Sequence, residues 1–466
     1  MSQLTKNKSL ISIIGFTLGP ILASCIGFIT TPIITYFISP SEFGMVNTYQ
    51  MFQTILCALI YLGFDQAYVR FYNEEDKNKL IINSIIIPIV LSIIIVIVLI
   101  TNTEFFALSI FKDINHILPV YMLAISIPLI IIERFLLLLL RMEEKGFEYS
   151  LFNILNKALV LCMTVTFMLM YNKSYISVIY GSILAQILND IILLIRNYNK
   201  VNYSHKLIDK NLIKKLFEYG IQLAPIDFIS LMLNSIDKIA ITKFVSMGEL
   251  GLYSAALRIT GLLGIIKNCF NSFWVPISLK WFNNGEDNEK FYNITEIILF
   301  IMSEIFIITL LFKDLIIGIF SHTYSDAKYI LPFLLFYPIL YTVSETIVIG
   351  INFKKKGYLI TISSVISLFM NIVLNVYLVP KYGGIGAALT TGISHGIYFL
   401  LVLYFARMVW WKIPLKKIFI SISILYIIAF INIFYTLAFI NYINFAAAVL
   451  LAIMNINTII KIKKLI

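Results

Sequence analysis

Apolar runs long enough to cross a bilayer alternate with short polar clusters along almost the whole chain. A helix needs about 20 apolar residues to span the hydrocarbon core. Cutting the sequence at its polar clusters leaves runs of roughly this length at 10–38, 43–69, 80–101, 117–140, 149–171, 175–195, 219–242, 251–279, 291–312, 329–352, 358–379, 384–406, 418–438 and 443–460. The pattern predicts an all-α polytopic membrane protein with fourteen transmembrane helices, an even number that places both termini on one face.

The composition agrees with this pattern and excludes the soluble classes of protein. Of the 466 residues, 60% are hydrophobic and 13% are charged, whereas soluble domains contain about 45–50% apolar and about 25% charged residues. A cytosolic enzyme, a secreted domain and a disordered scaffold are therefore excluded. The cysteines fall in apolar runs without the spacing of a metal site or a disulfide framework, so we interpret them as small buried residues. They are Cys25, Cys57, Cys162 and Cys269.

The distribution of Lys and Arg among the loops predicts the orientation of the chain. The N-terminus and every second loop after it carry 25 of these residues, and the opposite loops carry 6. Loops rich in Lys and Arg stay in the cytoplasm, so both termini are predicted to be cytoplasmic. The same distribution accounts for the net charge of +11 without a nucleic-acid partner. The first apolar run is too long for a cleaved signal peptide and is predicted to remain as the first span.

Two short segments repeat at an offset of 207 residues. Residues 37–44 read FISPSEFG and residues 244–251 read FVSMGELG, with identical Phe, Ser, Glu and Gly at four matching positions. Each segment lies at the predicted external turn between the first two spans of a half, which indicates duplication of a six-helix unit with parallel topology. The predicted parts are an N-terminal half at 1–196, a basic cytoplasmic linker at 197–218, a C-terminal half at 219–407 and appended helices 13 and 14 at 408–466.

Five basic side chains lie inside the predicted spans, where a charge is costly unless it is paired or hydrated. If they point inward, they form a cationic lining through the membrane that suits a substrate with phosphate or carboxylate groups. The alternative is that several of them extend to an interface or pair locally. These candidate substrate-binding residues are Arg134, Lys157, Lys238, Arg258 and Lys267.

Acidic residues also lie inside the spans, where they either pair with neighbouring helices or include a residue that titrates in an ion-coupling relay. Adjacent residues on a helix point about 100° apart, so Glu133 beside Arg134 and Asp237 beside Lys238 are not automatic ion pairs. The intramembrane acids are Asp65, Glu133, Asp190, Asp227, Asp237, Glu304 and Glu345. The candidates for coupling or gating are Asp65, Asp227, Asp237, Glu304 and Glu345, together with Arg70.

Catalytic patterns are nearly absent from the sequence. Residues 392–396 spell GISHG, which matches the nucleophile elbow, but that motif requires a strand-to-helix turn and here falls in a membrane helix rich in small residues. No nucleotide-binding P-loop occurs, and the histidines are too scattered for a metal site. They are His116, His205, His322 and His395. The sequence therefore predicts no catalytic residues, no cofactor and no bound metal.

Three segments carry a resemblance to a known family. They are Gly63–Tyr72 (GFDQAYVRFY), Ser235–Ile239 (SIDKI) and Phe244–Tyr253 (FVSMGELGLY). With the short loops, the two six-helix halves and the final helix pair, they make the chain similar to bacterial polysaccharide flippases, which carry repeat units of O-antigen or capsule. These flippases belong to the multidrug/oligosaccharidyl-lipid/polysaccharide exporter superfamily.

The resemblance implies a MATE-like, V-shaped transporter with a central cavity between its halves. It implies that an undecaprenyl-diphosphate-linked oligosaccharide moves from the inner to the outer leaflet of the bacterial inner membrane by alternating access, as in lipopolysaccharide assembly. Lys238, Arg258 and Lys267 would then meet diphosphate or acidic sugars, and Asp65 and Arg70 would act at a gate or cavity mouth. The implied partners are membrane lipids, a polysaccharide polymerase and chain-length proteins, and no cofactor is implied.

Three alternatives remain open at this point. A multidrug exporter of the same superfamily would carry organic cations and would favour a cavity with net negative charge. A major-facilitator transporter also has two six-helix halves, but usually only twelve spans. A membrane-embedded glycosyltransferase or polymerase would handle the same lipid-linked sugars, but it would be expected to have a large external loop or an exposed acidic motif. Without an ATPase motif, an ion gradient or downstream polymerisation is the expected motive force.

Overall fold

The computed structural model describes residues 2–198, 207–434, 439–456 and 458, with side chains from residue 19 onward except at 226, 227, 230, 233 and 234. Over these residues the regular structure is entirely helical, which confirms the predicted all-α class. The chain divides into two compact units, residues 1–235 and residues 236–466.

Helices follow one another along the described chain with short connections. The first unit contains α1 (Ser2–Phe37), α2 (Pro40–Tyr61), α3 (Phe64–Phe71), α4 (Lys77–Thr101), α5 (Thr103–Phe111), α6 (Ile117–Met142), α7 (Gly146–Met170) and α8 (Tyr175–Asn197). Helix α9 (Lys210–Phe244) contains the boundary between the units. It is followed by α10 (Met247–Asn283), α11 (Asn288–Leu311), α12 (Lys313–Ile317), α13 (Ala327–Leu334), α14 (Phe336–Phe353), α15 (Tyr358–Val409), α16 (Lys416–Phe434) and α17 (Ile440–Met454).

The repeated segments form the same local structure, a serine cap at the start of a helix. Ser39 precedes α2; its hydroxyl accepts a hydrogen bond from the Glu42 N–H at 3.3 Å, and the Glu42 carboxylate accepts one from the Ser39 N–H at 3.1 Å. Ser246 caps α10 by accepting from the Glu249 N–H at 3.2 Å. Such caps satisfy donors that a helix start leaves free. In the second unit, the Gly384 N–H also donates to Glu249 Oε2 at 2.8 Å.

A bend of 51° separates α2 from α3. At the bend, Leu62 and Gly63 have left-handed backbones, with φ of 44° and 76°. Gly63 lies against Gly220 of α9, and a Cβ atom at position 63 would stand 2.3 Å from the Gly220 carbonyl oxygen and 2.7 Å from its Cα. Glycine at both positions therefore lets the bend and α9 meet backbone to backbone.

Side chains of α4 hold the described end of the predicted basic linker, of which residues 199–206 lie outside the described part of the chain. The Asp209 N–H donates to Asn83 Oδ1 at 2.8 Å, and the Lys79 ammonium lies 2.7 Å from Asp209 Oδ2. This ion pair holds the pKa of the Asp209 carboxyl below its usual range. Helix α9 begins directly afterwards, at Lys210, nine residues before the predicted span.

Fewer helices meet a test of length and hydropathy than the predicted fourteen. Ten of the described helical segments are long and apolar enough to cross a membrane, and the bent pair α2–α3 would make eleven. Predicted spans 11 and 12 are joined in α15, a 52-residue helix with non-helical backbone at Gly383, where φ is 56° and ψ is −133°. Helix α9 does not meet the test because of its polar residues, and α17, with 15 residues, is too short for it. The exact number of spans therefore stays a prediction.

A buried lysine of α12 connects to the last two helices of the second unit. Lys313 on α12 is 3% exposed, and its ammonium donates to the carbonyl oxygen and to Oδ1 of Asn432 on α16 at 3.2 and 2.9 Å. Asn432 and Asn444 of α17 exchange side-chain hydrogen bonds at 2.7 and 3.3 Å. Because buried polar groups require such partners, this network ties α12, α16 and α17 together.

Candidate functional site

Arg134 and Asp65 form an ion pair within the first unit. Arg134 Nη2 on α6 donates to Asp65 Oδ2 on α3 at 2.8 Å, and Asp65 is 6% exposed. The Gln66 amide is a longer donor to the same oxygen, at 3.4 Å. The buried carboxylate offsets the charge of the arginine, so Arg134 adds little net positive charge. The pair also connects α3 to α6.

The other two basic candidates of the first unit have exposed side chains. Lys157 on α7 is exposed and lies near the Glu133 carboxylate. Arg70 on α3 forms an ion pair with Glu74 one helical turn further along, where the two side chains are 51% and 43% exposed. Neither Lys157 nor Arg70 is enclosed by the helices of the first unit, so the structure leaves their predicted roles open.

Four neutral side chains donate hydrogen bonds to the Asp237 carboxylate in the second unit. Tyr253 on α10 donates its hydroxyl to Oδ2 at 2.8 Å, and the Thr391 hydroxyl on α15 donates to the same oxygen. The amides of Asn375 and Asn371, also on α15, donate to Oδ1 at 2.7 and 3.3 Å. Asp237 is 6% exposed. Among the described side chains, both oxygens of this buried carboxylate are therefore satisfied by neutral donors alone.

Lys238 and Arg258 are two basic residues of the second unit that interact electrostatically. Lys238 follows Asp237 on α9 and is half-buried, whereas Arg258 on α10 has an exposed side chain. The two cations are near enough to interact electrostatically, and Asp237 also acts on Lys238. The three groups together carry a charge of +1. This is the part of the predicted cationic lining that the structure brings together.

Lys267 lies over tyrosine rings at the edge of α14. Its ammonium is 4.0 Å from the ring centre of Tyr341 and 5.6 Å from that of Tyr337. The Glu345 carboxylate lies beside Lys267, Tyr341 and Asn271. Tyr337, Tyr341 and Glu345 follow one another at intervals of four residues, and the rest of α14 is buried as far as residue 351. They form one half-exposed polar stripe on an otherwise buried helix.

Aromatic side chains of α15 extend the polar stripe of Tyr337, Tyr341 and Glu345. The sequence did not predict this arrangement. The His395 ring packs 4.8 Å from Tyr337, and Tyr398 stacks on Tyr341 at 6.0 Å with an interplanar angle of 8°. Aromatic rings of this kind combine apolar area with polar edges. Their four-residue spacing is the only signal that could have identified them, and it is equally typical of a helix that packs in a core.

The remaining coupling candidates are less well defined. Glu304 on α11 is half-buried, and its Oε1 atom has no hydrogen-bond partner among the described residues. The side chain of Asp227 lies outside the described ones. Over the described residues, no group of three or more His, Cys, Asp and Glu side chains could hold a metal ion.

A protein family matches more than half of the chain. Residues 9–282 match the family described as polysaccharide biosynthesis protein. The probable low-salt glycan biosynthesis flippase Agl15 of Haloferax volcanii is 28% identical over 159 residues, which are 33% of this chain and 34% of that protein. The chain thus matches about a third of the length of this relative.

Solved structures with the same architecture cover nearly the whole chain. The lipid II flippase MurJ, in an inward closed conformation, has a TM-score of 0.71 at 19% identity, over 95% of this chain and 99% of MurJ. A MATE protein in complex with MaL6 has a TM-score of 0.59 at 14% identity, over 86% of this chain and 96% of that chain. The fold is therefore MATE-like, which removes the major-facilitator alternative. The family match confirms the resemblance carried by three short segments: the chain belongs to the polysaccharide biosynthesis protein family.

Proposed function

We propose that the protein is a flippase that moves an undecaprenyl-diphosphate-linked oligosaccharide from the inner to the outer leaflet of a bacterial inner membrane by alternating access. The observation that carries this proposal is the electrostatic interaction between two basic residues of the second unit, Lys238 on α9 and Arg258 on α10. Two similar proteins support the class of cargo, since Agl15 is a probable glycan biosynthesis flippase and MurJ is a lipid II flippase.

The charge of this pair favours an anionic cargo over a cationic one. Two basic groups near one another in an apolar region repel, and an incoming diphosphate relieves that repulsion. The Arg258 guanidinium can bind phosphate oxygens through two parallel hydrogen bonds, whereas the Lys238 ammonium acts as a point charge. An organic cation would add a third positive charge, so the multidrug alternative is disfavoured.

The polar stripe on α14, with Tyr337 and Tyr341, suits the sugar part of the cargo. Aromatic faces can pack against the apolar faces of sugar rings, while Lys267 and Glu345 beside them can hydrogen-bond hydroxyl groups. All these groups are partly exposed within the second unit. In this proposal the stripe holds the oligosaccharide, and Lys238 with Arg258 attracts the diphosphate.

Asp237 is the strongest of the candidates for energy coupling. Its carboxylate is held by hydroxyl and amide groups on α10 and α15, which can rearrange when a proton or another cation binds. Glu304, with an unpartnered oxygen among the described residues, is a second candidate. Asp65 is tied to Arg134 and fits a gating or positioning role better. Transport in this scheme involves no bond-breaking step, and a polymerase and chain-length proteins would act on the delivered product.

The predicted orientation and the division into two six-helix halves with an appended pair are part of the proposal. With both termini in the cytoplasm, residues 200–215 lie inside and residues 441–444 lie outside. Single cysteines at the exposed positions Lys210, Asn211, Asn441 and Tyr442, in full-length chains whose own cysteines are replaced, are expected to react with a membrane-impermeant maleimide only at 441 and 442 in intact cells. Reaction at 210 or 211 in intact cells would contradict the orientation.

Deletion of the gene tests the function directly. We expect the deletion strain to lose its surface polysaccharide and to accumulate the lipid-linked repeat unit on the cytoplasmic leaflet, with both effects reversed by the wild-type chain. Accumulation of repeat units already in the outer leaflet would indicate a polymerase instead. Unchanged surface polysaccharide with lost efflux of a cationic dye would support the multidrug alternative.

A further inference from the structure

A buried polar cluster, separate from the residues assigned to the cargo, connects three helices of the first unit. The Glu133 carboxylate on α6 accepts hydrogen bonds from the Asn156 amide on α7 at 2.8 Å and from the Asn189 amide on α8 at 2.9 Å. The Gln186 amide, also on α8, donates at 3.4 Å. Three amides therefore turn their N–H groups toward one carboxylate.

A second carboxylate in the same cluster has no such donors. Asp190 on α8 is 2% exposed, and neither of its oxygens has a hydrogen-bond partner among the described residues. Asp190 follows Gln186 by four residues, so the two side chains share the face of α8 that meets Glu133. Glu133 also acts electrostatically on Asp190, as expected for carboxylates on facing sides of α6 and α8. The Asn189 Oδ1 atom is likewise buried without a partner among the described residues.

With both carboxylates ionised, the charged groups of the cluster sum to a net charge of −1. Glu133 and Asp190 contribute two negative charges, and Lys157, which lies near Glu133, contributes one positive charge. Arg134 is the next residue after Glu133, but its guanidinium is bonded to Asp65. A buried carboxylate without a counter-charge or a donor is strongly unfavourable, so Asp190 either holds a proton or, when it is ionised, leaves the cluster with room for one more cation.

We propose that this cluster is a binding site for a monovalent metal cation, with sodium as the probe ion. The Asp190 carboxylate, Glu133 and Asn189 Oδ1 supply the oxygen ligands that hard cations prefer. One positive charge balances the net charge of the cluster, whereas a divalent ion would exceed it. The ligands come from α6 and α8, which are far apart in the sequence, and one of them is a neutral amide. A search of the sequence for closely spaced acidic residues would therefore not find this site.

Direct measurement of bound sodium tests this site without any cargo. The purified full-length protein in lipid nanodiscs is titrated with radioactive sodium at constant ionic strength, balanced with choline. Asp190→Asn is expected to bind one sodium ion fewer per chain than the wild type. Glu133→Gln is expected to weaken binding at the same site about tenfold or more, because one charged ligand is lost. Sodium should also raise the unfolding temperature of the wild type more than that of Asp190→Asn.

A matched control uses another acidic residue of the same helices. Glu148→Gln on α7 removes a carboxylate that accepts from Arg196 Nη2 at 2.8 Å, outside the cluster, and should leave the sodium stoichiometry unchanged. Equal stoichiometry in the wild type, Asp190→Asn and Glu133→Gln would overturn the proposal, as would wild-type protein that binds no sodium saturably. Either outcome would leave the proposed flippase activity standing, because that activity is judged from polysaccharide export.

Discussion

Reversal of charge at Arg258 is expected to reduce transport of the lipid-linked oligosaccharide about 100-fold, which corresponds to about 2.7 kcal/mol in the barrier. In Arg258→Glu the diphosphate loses charge-assisted hydrogen bonds and meets a carboxylate beside Lys238, so attraction becomes repulsion. The Arg258 side chain is exposed within the second unit. Translocation of fluorescent lipid-linked oligosaccharide in proteoliposomes measures the rate, and size-exclusion chromatography checks that the variant is folded.

Two further variants separate a local role from a change in net charge. Lys243→Glu alters the net charge equally at an exposed position near the end of α9, and it should transport at nearly the wild-type rate. Arg258→Lys keeps the charge but loses the planar donor pair, so an intermediate rate is expected. Wild-type transport by Arg258→Glu would refute the role of this pair in binding the cargo.

Replacement of Gly63 by alanine is expected to destabilise the first unit by about 3 kcal/mol or more. A left-handed backbone costs a residue with a Cβ about 1–2 kcal/mol, and overpacking costs about 1–3 kcal/mol. Here the new Cβ would meet backbone atoms of Gly220, at 2.3 Å from the nearest, which cannot rotate away as a side chain would. The unfolding temperature of the purified protein in detergent measures the effect.

Two other glycine-to-alanine variants show whether the loss of stability comes from the position of Gly63 at the bend. A Cβ at Gly27 of α1 would meet nothing within 4 Å, so Gly27→Ala should be neutral or slightly stabilising through its higher helix propensity. Gly220→Ala would place its Cβ 2.7 Å from the Leu62 carbonyl oxygen in a helical backbone, so it should destabilise less than Gly63→Ala. Equal stability of Gly63→Ala and Gly27→Ala would show that the bend does not need glycine.

The sequence predicted the helical class and the family because both depend on long-range patterns of apolar and polar residues. It also predicted that adjacent charges need not pair. Glu133 bonds amides on α7 and α8, whereas Arg134 bonds Asp65 on α3. Which distant residue each of them meets depends on how the helices pack, and no spacing along the chain carries that information.

Uncharged polar residues account for most of what the sequence analysis missed. Asn371 and Asn375 bond Asp237, and Tyr337 and Tyr341 surround Lys267. Their i,i+4 spacing places each pair on one face of a helix, but amides and tyrosines are common enough in membrane helices to draw no attention. Charged residues stand out because their burial is costly, and their neutral partners become visible only with coordinates.

The bonding of Lys313 to Asn432 has a practical consequence for the mapping of membrane topology. Reporters are often attached to chains that are shortened stepwise from the C-terminus. A chain that stops before α16 would retain the Lys313 ammonium without the asparagine that accepts its hydrogen bonds, each worth about 1.5–3 kcal/mol for a charged donor. Shortened fusions of this protein would therefore report on misassembled chains, and tags inserted into loops of the intact chain are the sounder choice.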